Sequence, residues 1–211
     1  MNQRTRFFEV AMSIVLASMS ATVSQAIEEP AYEVEREEGR YEVRTYGPRI
    51  VAETWVLGTH EDAGNTAFRR LADYIFGGNV TEESIAMTAP VTQESPPAPE
   101  APSEVTTMPV EGRYRVTFTM PRAYSMETLP TPEDGRVVLH KEPGRRVATI
   151  RYRGFWSTSR YQQYEKQLID WIEAQGLERS GAPPVWARYD PPFMPWFLRR
   201  NEIHIELDPS S

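Results

Sequence analysis

The chain contains no cysteine. That removes disulfides, thiolate metal sites, cysteine nucleophiles and the attachment of c-type haem, so stability must come from the apolar core. Histidine is almost as scarce. His60, His140 and His204 stand alone, with no His-x-His or His-x3-His pair, and no protein-only metal site is expected. There is no long basic run and the formal net charge is -7, which argues against a nucleic-acid partner because phosphate binding needs clustered Lys and Arg. No Gly-x-Ser-x-Gly elbow, phosphate-cradling glycine loop or dinucleotide fingerprint is present. Nor is any apolar run as long as the ~20 residues that a membrane-spanning helix needs.

What is present begins with a leader. Arg4 and Arg6 form a positive n-region, Val10 to Val23 is apolar apart from Ser and Thr, and Ser24-Gln25-Ala26 offers small residues for cleavage. Residues 1–26 therefore read as a secretory signal peptide, which places the remaining chain, 27–211, in the periplasm or outside the cell as one domain. Glu9 at the head of the apolar run keeps an uncleaved N-terminal anchor open as the alternative. No Arg-Arg pair or lipidation cysteine accompanies the leader.

From Tyr32 the pattern alternates, giving two strands joined at Glu38-Gly39 and a third from Ile50 to Leu57. Phe68, Leu71, Ala72 and Ile75 then fall at helical spacing, with Asn65 or Thr66 available as the N-cap and Gly77-Gly78-Asn79 as the stop. Ile85 to Val91 is a short uncharged run, residues 95–109 are a proline-rich surface excursion, and Tyr114 to Met120 alternates again.

The second half repeats the first at a constant offset. Gly47, Arg49, Leu71, Asp73, Tyr74 and Ile75 meet Gly144, Arg146, Leu168, Asp170, Trp171 and Ile172. The offset covers a turn, a strand and a helix, so it reads as a duplicated unit, with halves at about 32–121 and 136–207. Strands are expected at Val137–Leu139, Val147–Tyr152, Val185–Tyr189 and Ile203–Leu207, and a second helix from about Ser159 to Gln175. The expected architecture is α+β: a pseudo-two-fold duplicated antiparallel sheet or distorted β-barrel of about eight strands, flanked by two helices.

Candidate binding residues gather near the C-terminus. Pro191, Pro192 and Pro195 stiffen a loop carrying Phe193, Met194, Trp196 and Phe197, followed by Arg199 and Arg200. Such a loop suits a flat apolar ligand with anionic substituents, and equally a core plug with a salt bridge. Tyr74 and Phe76, off the apolar stripe of the first helix, are candidates for the facing wall of the cleft. His60 falls in the turn before that helix, close to the same cleft. His204 shares a strand face with Glu202 and Glu206 and is expected in solvent. Glu202 is the one acid placed to face an internal cavity, as a cation site or general base.

Four motifs in order, Tyr41-Glu-Val-Arg-Thr-Tyr-Gly-Pro48, Tyr74-Ile-Phe-Gly-Gly-Asn79, Ile85-Ala-Met-Thr-Ala-Pro-Val91 and Tyr189-Asp-Pro-Pro through Arg200-Asn-Glu-Ile203, resemble the SOUL haem-binding protein family. The resemblance runs from Tyr32 to Leu207. It implies a duplicated, distorted antiparallel barrel with two helices and non-covalent binding of haem or another tetrapyrrole, without catalysis. Some animal members carry His where this chain has Thr45, proposed there as an axial iron ligand, and threonine does not supply that mode. The resemblance then implies a cleft beside the first helix with basic residues near the propionates. An effector-binding module for another amphipathic ligand, or for a protein partner, is the alternative.

Overall fold

The computed structural model describes residues 27–94, 112–191 and 193–209. The leader, the proline-rich excursion and Pro192 lie outside them. Elements follow in the order β1 (Tyr32–Glu38), β2 (Tyr41–Tyr46), β3 (Arg49–Gly58), α1 (His60–Ile75), β4 (Val91–Glu94), β5 (Gly112–Thr119), β6 (Val138–Glu142), β7 (Arg145–Arg153), α2 (Thr158–Ala174), β8 (Val185–Arg188) and β9 (Arg200–Glu206). Among the described residues no helix is long and apolar enough to cross a membrane.

All nine strands join one antiparallel sheet in the order β1-β2-β7-β9-β8-β4-β5-β3-β6. The α+β expectation holds, and two details sharpen it. A ninth strand, β4, occupies Val91–Glu94, directly after the short uncharged run. And the barrel does not close, because β1 and β6 remain free edges. With β1 set aside, the order reads the same from either end when β2 exchanges with β6, β7 with β3, β9 with β5 and β8 with β4. The two repeats also trade strands. β2, from the first, pairs with β7 of the second, and β6, from the second, pairs with β3 of the first.

Each helix covers one half of one face. α1 starts earlier than its apolar spacing indicates. Thr59, not Asn65 or Thr66, is its N-cap and accepts from the Asp62 amide at 3.3 Å. The longer helix extends the buried stripe to Ala63, Ala67, Leu71 and Tyr74, the last three packing on Ala52, Val116 and Phe118. Under α2, Tyr161, Leu168, Trp171 and Ile172 pack on Ala148, Ile150, Ile203 and Ile205. Because of the traded strands, Val43 lies in the core under α2 and Val137 in the core under α1.

The opposite face is charged yet largely buried, because the sheet curls around it. Arg44 (1% exposed) donates to Glu42 at 2.7 Å and to both oxygens of Glu202 at 2.7 and 3.2 Å. The Glu202 carboxylate also accepts from Arg151 at 3.1 Å and Tyr189 at 2.8 Å, and meets His204 Nε2 at 3.0 Å. His204 is therefore buried in this network and not in solvent as expected, since its strand face turns inward. A second network has the opposite sign at its centre: Arg115 donates to Glu53, Glu94 and Glu142 at 2.5, 2.6 and 2.7 Å. Removing one partner of such a buried pair strands the other charge, at a cost of roughly 3–5 kcal/mol. Arg44→Met is expected to lower urea-unfolding stability by about that amount, and adding Glu202→Gln to recover part of it.

Candidate functional site

Two loops meet at one end of the second half. The first, Gly154–Ser157, leads into α2. Gly154 has φ +134, and a Cβ there would lie 2.3 Å from Arg160 Nη1, so the bend requires glycine. The second is the proline loop before β9, closed by Met194 N–H to Pro191 O at 3.0 Å and Leu198 N–H to Pro195 O at 2.9 Å. Asn201, first in the register of β9 after the two arginines, ties them together. It accepts from Trp156 Nε1 at 2.8 Å and donates to Gly154 O at 3.2 Å.

Above this clasp lies an exposed aromatic platform. Phe155 and Trp196 stack with centroids 4.6 Å apart and an interplanar angle of 13°. Trp196 meets Phe197 edge-on at 5.6 Å, while Phe193 stands 85% exposed and Leu198 about half exposed. Leaving apolar groups of this size in water is unfavourable, which makes the exposed patch a candidate binding feature. The core-plug alternative for Phe193, Trp196 and Phe197 is thereby set aside. Met194 is partly buried beneath them.

Three arginines near the two loops are in different states. Arg200 is committed to structure. Its guanidinium holds Glu29 at 2.5 Å and covers the Tyr189 ring at 3.4 Å, and its amide donates to Asp190. Arg199 lies over the Trp156 ring at 4.6 Å and donates to Met194 O at 2.8 Å. Arg188, at the end of β8, lies 5.0 Å from the centroid of the same Trp156 ring. Its hydrogen bonds go to Tyr161 Oη, His60 Nε2 and Gln93 Oε1, each at 3.1 Å, and all three partners are neutral. Among the described residues no carboxylate lies within 4 Å of it. The start of α2 beside it carries no acidic residue and no side-chain cap, so the helix dipole adds to the positive field.

His60 is not in a turn. It is the first residue of α1, buried between Tyr161, Trp186 and Tyr114 with centroids 5.2, 4.0 and 5.6 Å away. Gln93 Nε2 approaches its Nδ1 at 2.8 Å and Arg188 its Nε2 at 3.1 Å, so neither nitrogen faces a ligand. Burial, and then the Arg188 charge, push the imidazole down to about pH 2. Tyr74 is also corrected. It is 1% exposed in the core under α1, because Tyr74 follows Ala67 by seven and Leu71 by three, and its hydroxyl donates to Pro130 O at 2.9 Å. Phe76 is exposed, but it follows the far end of α1, about 24 Å along the axis from His60, and does not join the platform. Glu202 faces no cavity. Burial alone would raise its pKa, but His204 and Arg44 hold its carboxyl well below the usual range. Sequence reasoning missed Arg188, Phe155 and Trp156. Gly154-Phe-Trp before a helix was the available signal for the last two, and Arg188 in a strand gave none.

A cavity of about 580 Å³ lies elsewhere, between the N-terminal segment and the β2–β3 turn. Tyr32, Ile50, Met120 and Tyr124 line it, with Thr45 on one wall. Its cations are already paired, Arg122 with Glu28 and Arg49 with Glu142. It offers volume where the loop site offers uncompensated charge.

The architecture is therefore an open, pseudo-two-fold antiparallel sheet with two helices and an exposed aromatic surface between two loops. A family model described as SOUL heme-binding protein matches residues 27–206, and the chain belongs to that family. Heme-binding protein 2 of Mus musculus is 26% identical over 194 residues, covering 86% of this chain and 91% of its own length. Heme-binding protein 2 of Homo sapiens is 26% identical over 191 residues, covering 85% and 89%. The C-terminal domain of EcmrR superposes with a TM-score of 0.60 at 10% identity, covering 84% of this chain and 98% of that one. That likeness is one of fold alone.

His60 supplies a pH dependence of known sign. Its folded pKa lies below the unfolded value of about 6.5, so the unfolded chain takes up a proton that the folded one refuses as pH falls below 6.5. Stability falls on that side with a limiting slope of about 1.4 kcal/mol per pH unit for this one group. Urea unfolding from pH 7 to 4.5 is expected to show a shallower slope in His60→Gln than in the wild type.

Proposed function

We propose that this protein is an exported, non-covalent haem- or tetrapyrrole-binding protein, a carrier, buffer or scavenger and not a catalyst. The single observation that carries the reading is the exposed aromatic platform of Phe155, Phe193, Trp196 and Phe197 beside the carboxylate-free guanidinium of Arg188. A porphyrin brings apolar faces and carboxylate substituents, and the residues present fit both. Phe193, Met194, Trp196 and Phe197 would take the faces, each Å² of apolar contact contributing roughly 25 cal/mol. Arg199 and Arg188 would meet the carboxylates, whereas Arg200 is held by Glu29. Membership of the SOUL family and the names of its relatives support the same ligand.

Against catalysis stands Glu202, the acid best placed for it, whose lone pairs are taken by Arg44, Arg151, Tyr189 and His204. The net charge of -7 supports a partner other than nucleic acid. Export rests on the first 26 residues. Periplasmic fractionation followed by N-terminal sequencing is expected to give a chain beginning at Ile27.

Hemin titration followed at the Soret band tests the ligand. Trp196→Ala is expected to weaken binding about tenfold, as loss of a half-buried indole face implies, while leaving thermal unfolding unchanged because Trp196 stands outside the core. The 580 Å³ cavity supports a second reading, an amphipathic ligand held beside Thr45. Met120→Trp would fill that cavity. If it abolishes hemin binding while Trp196→Ala does not, the cavity is the site and the platform reading is lost.

A further inference from the structure

The polar cluster at the start of α1 is mismatched. A neutral imidazole has one N–H and one lone pair. In His60, Nδ1 faces the Gln93 amide nitrogen at 2.8 Å and Nε2 faces an Arg188 guanidinium nitrogen at 3.1 Å, and both neighbours can only donate. One ring nitrogen therefore meets a donor with a proton of its own. Turning the Gln93 amide over makes matters worse. Its oxygen would then oppose the His60 carbonyl, to which Nε2 now donates at 2.9 Å, and its nitrogen would oppose Arg188, which Oε1 now accepts at 3.1 Å. Protonating the ring would set two N–H groups against two donors. Departure of Arg188 ends the mismatch. If Arg188 leaves, Nδ1 accepts from Gln93 and the Nε2 proton points into the vacated space.

Nothing in the cluster compensates the guanidinium charge, and the room it occupies is provided by Gly64. A Cβ at that position would lie 3.0 Å from Arg188 Nη1 and 2.8 Å from Gln93 Oε1. From there Arg188 reaches towards Trp156, whose ring it shares with Arg199 and which directly follows Phe155 of the platform in the chain.

We propose that Arg188 is a parked cation, which leaves His60 to take a carboxylate of the ligand on the aromatic platform, so that this one residue selects acidic ligands over their neutral counterparts. The inference rests on the ligand reading above and adds the specificity determinant. His60 and Gln93 are positioning residues: they hold Arg188 loosely, by neutral contacts of which one is repulsive, and a carboxylate offers a charge-assisted bond about twice as strong as a neutral one.

The test compares metal-free protoporphyrin with its dimethyl ester by fluorescence titration of the wild type, Arg188→Met and Arg188→Lys. Wild type is expected to prefer the diacid by tenfold or more. Arg188→Met is expected to lose that preference, and Arg188→Lys, which keeps a charge without the planar fork, to retain part of it. The ¹⁵N resonances of the His60 ring in the wild type are expected to shift on adding the diacid and not the ester. Arg188→Met is also expected to unfold at no lower temperature than the wild type, because it removes a mismatched contact. Equal loss of both ligands in Arg188→Met, or unmoved His60 resonances at saturating diacid, would overturn the inference while leaving the ligand reading intact. Wild type that binds neither porphyrin would overturn the ligand reading and this inference with it.

Discussion

The bidentate contact between Arg44 and Glu202 is the interaction on which the other parts of the molecule depend. It joins β2 to β9 across β7, deep on the curled face of the sheet, with Glu42, Arg151, Tyr189 and His204 arranged around it. Two charges taken out of water are tolerable only when every hydrogen-bonding position is filled, and here the filling side chains come from β2, β7, β9 and the segment after β8. Their shared demand fixes the register of β9. That register in turn sets Asn201 against Trp156 and Gly154, and so decides where the two loops meet.

The proposed site divides its work between a surface that is rigid and one cation that is not rigidly paired. Proline, the turn at Pro195 and the stack of Trp196 on Phe155 present apolar area at little entropic cost. The neighbouring guanidinium groups differ in what they are tied to. Arg200 and Arg44 are held by carboxylates and serve the fold. Among the described residues the hydrogen-bond partners of Arg188 are a phenol, an amide and an imidazole. Among arginines of the same formal charge, it is the identity of the partner that sets apart those committed to the fold.

The fold was legible in the sequence to the extent that periodicity and the internal repeat report on backbone form. Both helices, eight of the nine strands and the family resemblance could be read from residues, and β4 escaped because Val91–Glu94 is short and follows an uncharged run. The site was legible in part. The aromatic loop and Arg199 stood out in composition, but Tyr74 was assigned to the wrong face because the helix begins at His60, which changes the buried stripe. His204 was read on the solvent face of a half-buried sheet, a rule that fails when a sheet curls and both faces become interior. No pattern in a single chain indicates which of its arginines lacks a carboxylate, since that depends on which strands end up side by side.

The exchange of β2 and β6 between the repeats has a bearing on origins. A single repeat could not cover its own core, because the strand it contributes lies under the helix of the other, as Val43 and Val137 show. Two copies of such a unit would complete one another as a symmetric pair, each lending a strand. Joining the two copies end to end adds a connection while leaving that packing untouched. It also frees the two halves to diverge, so that one can carry an aromatic loop and an uncompensated arginine that its twin does without.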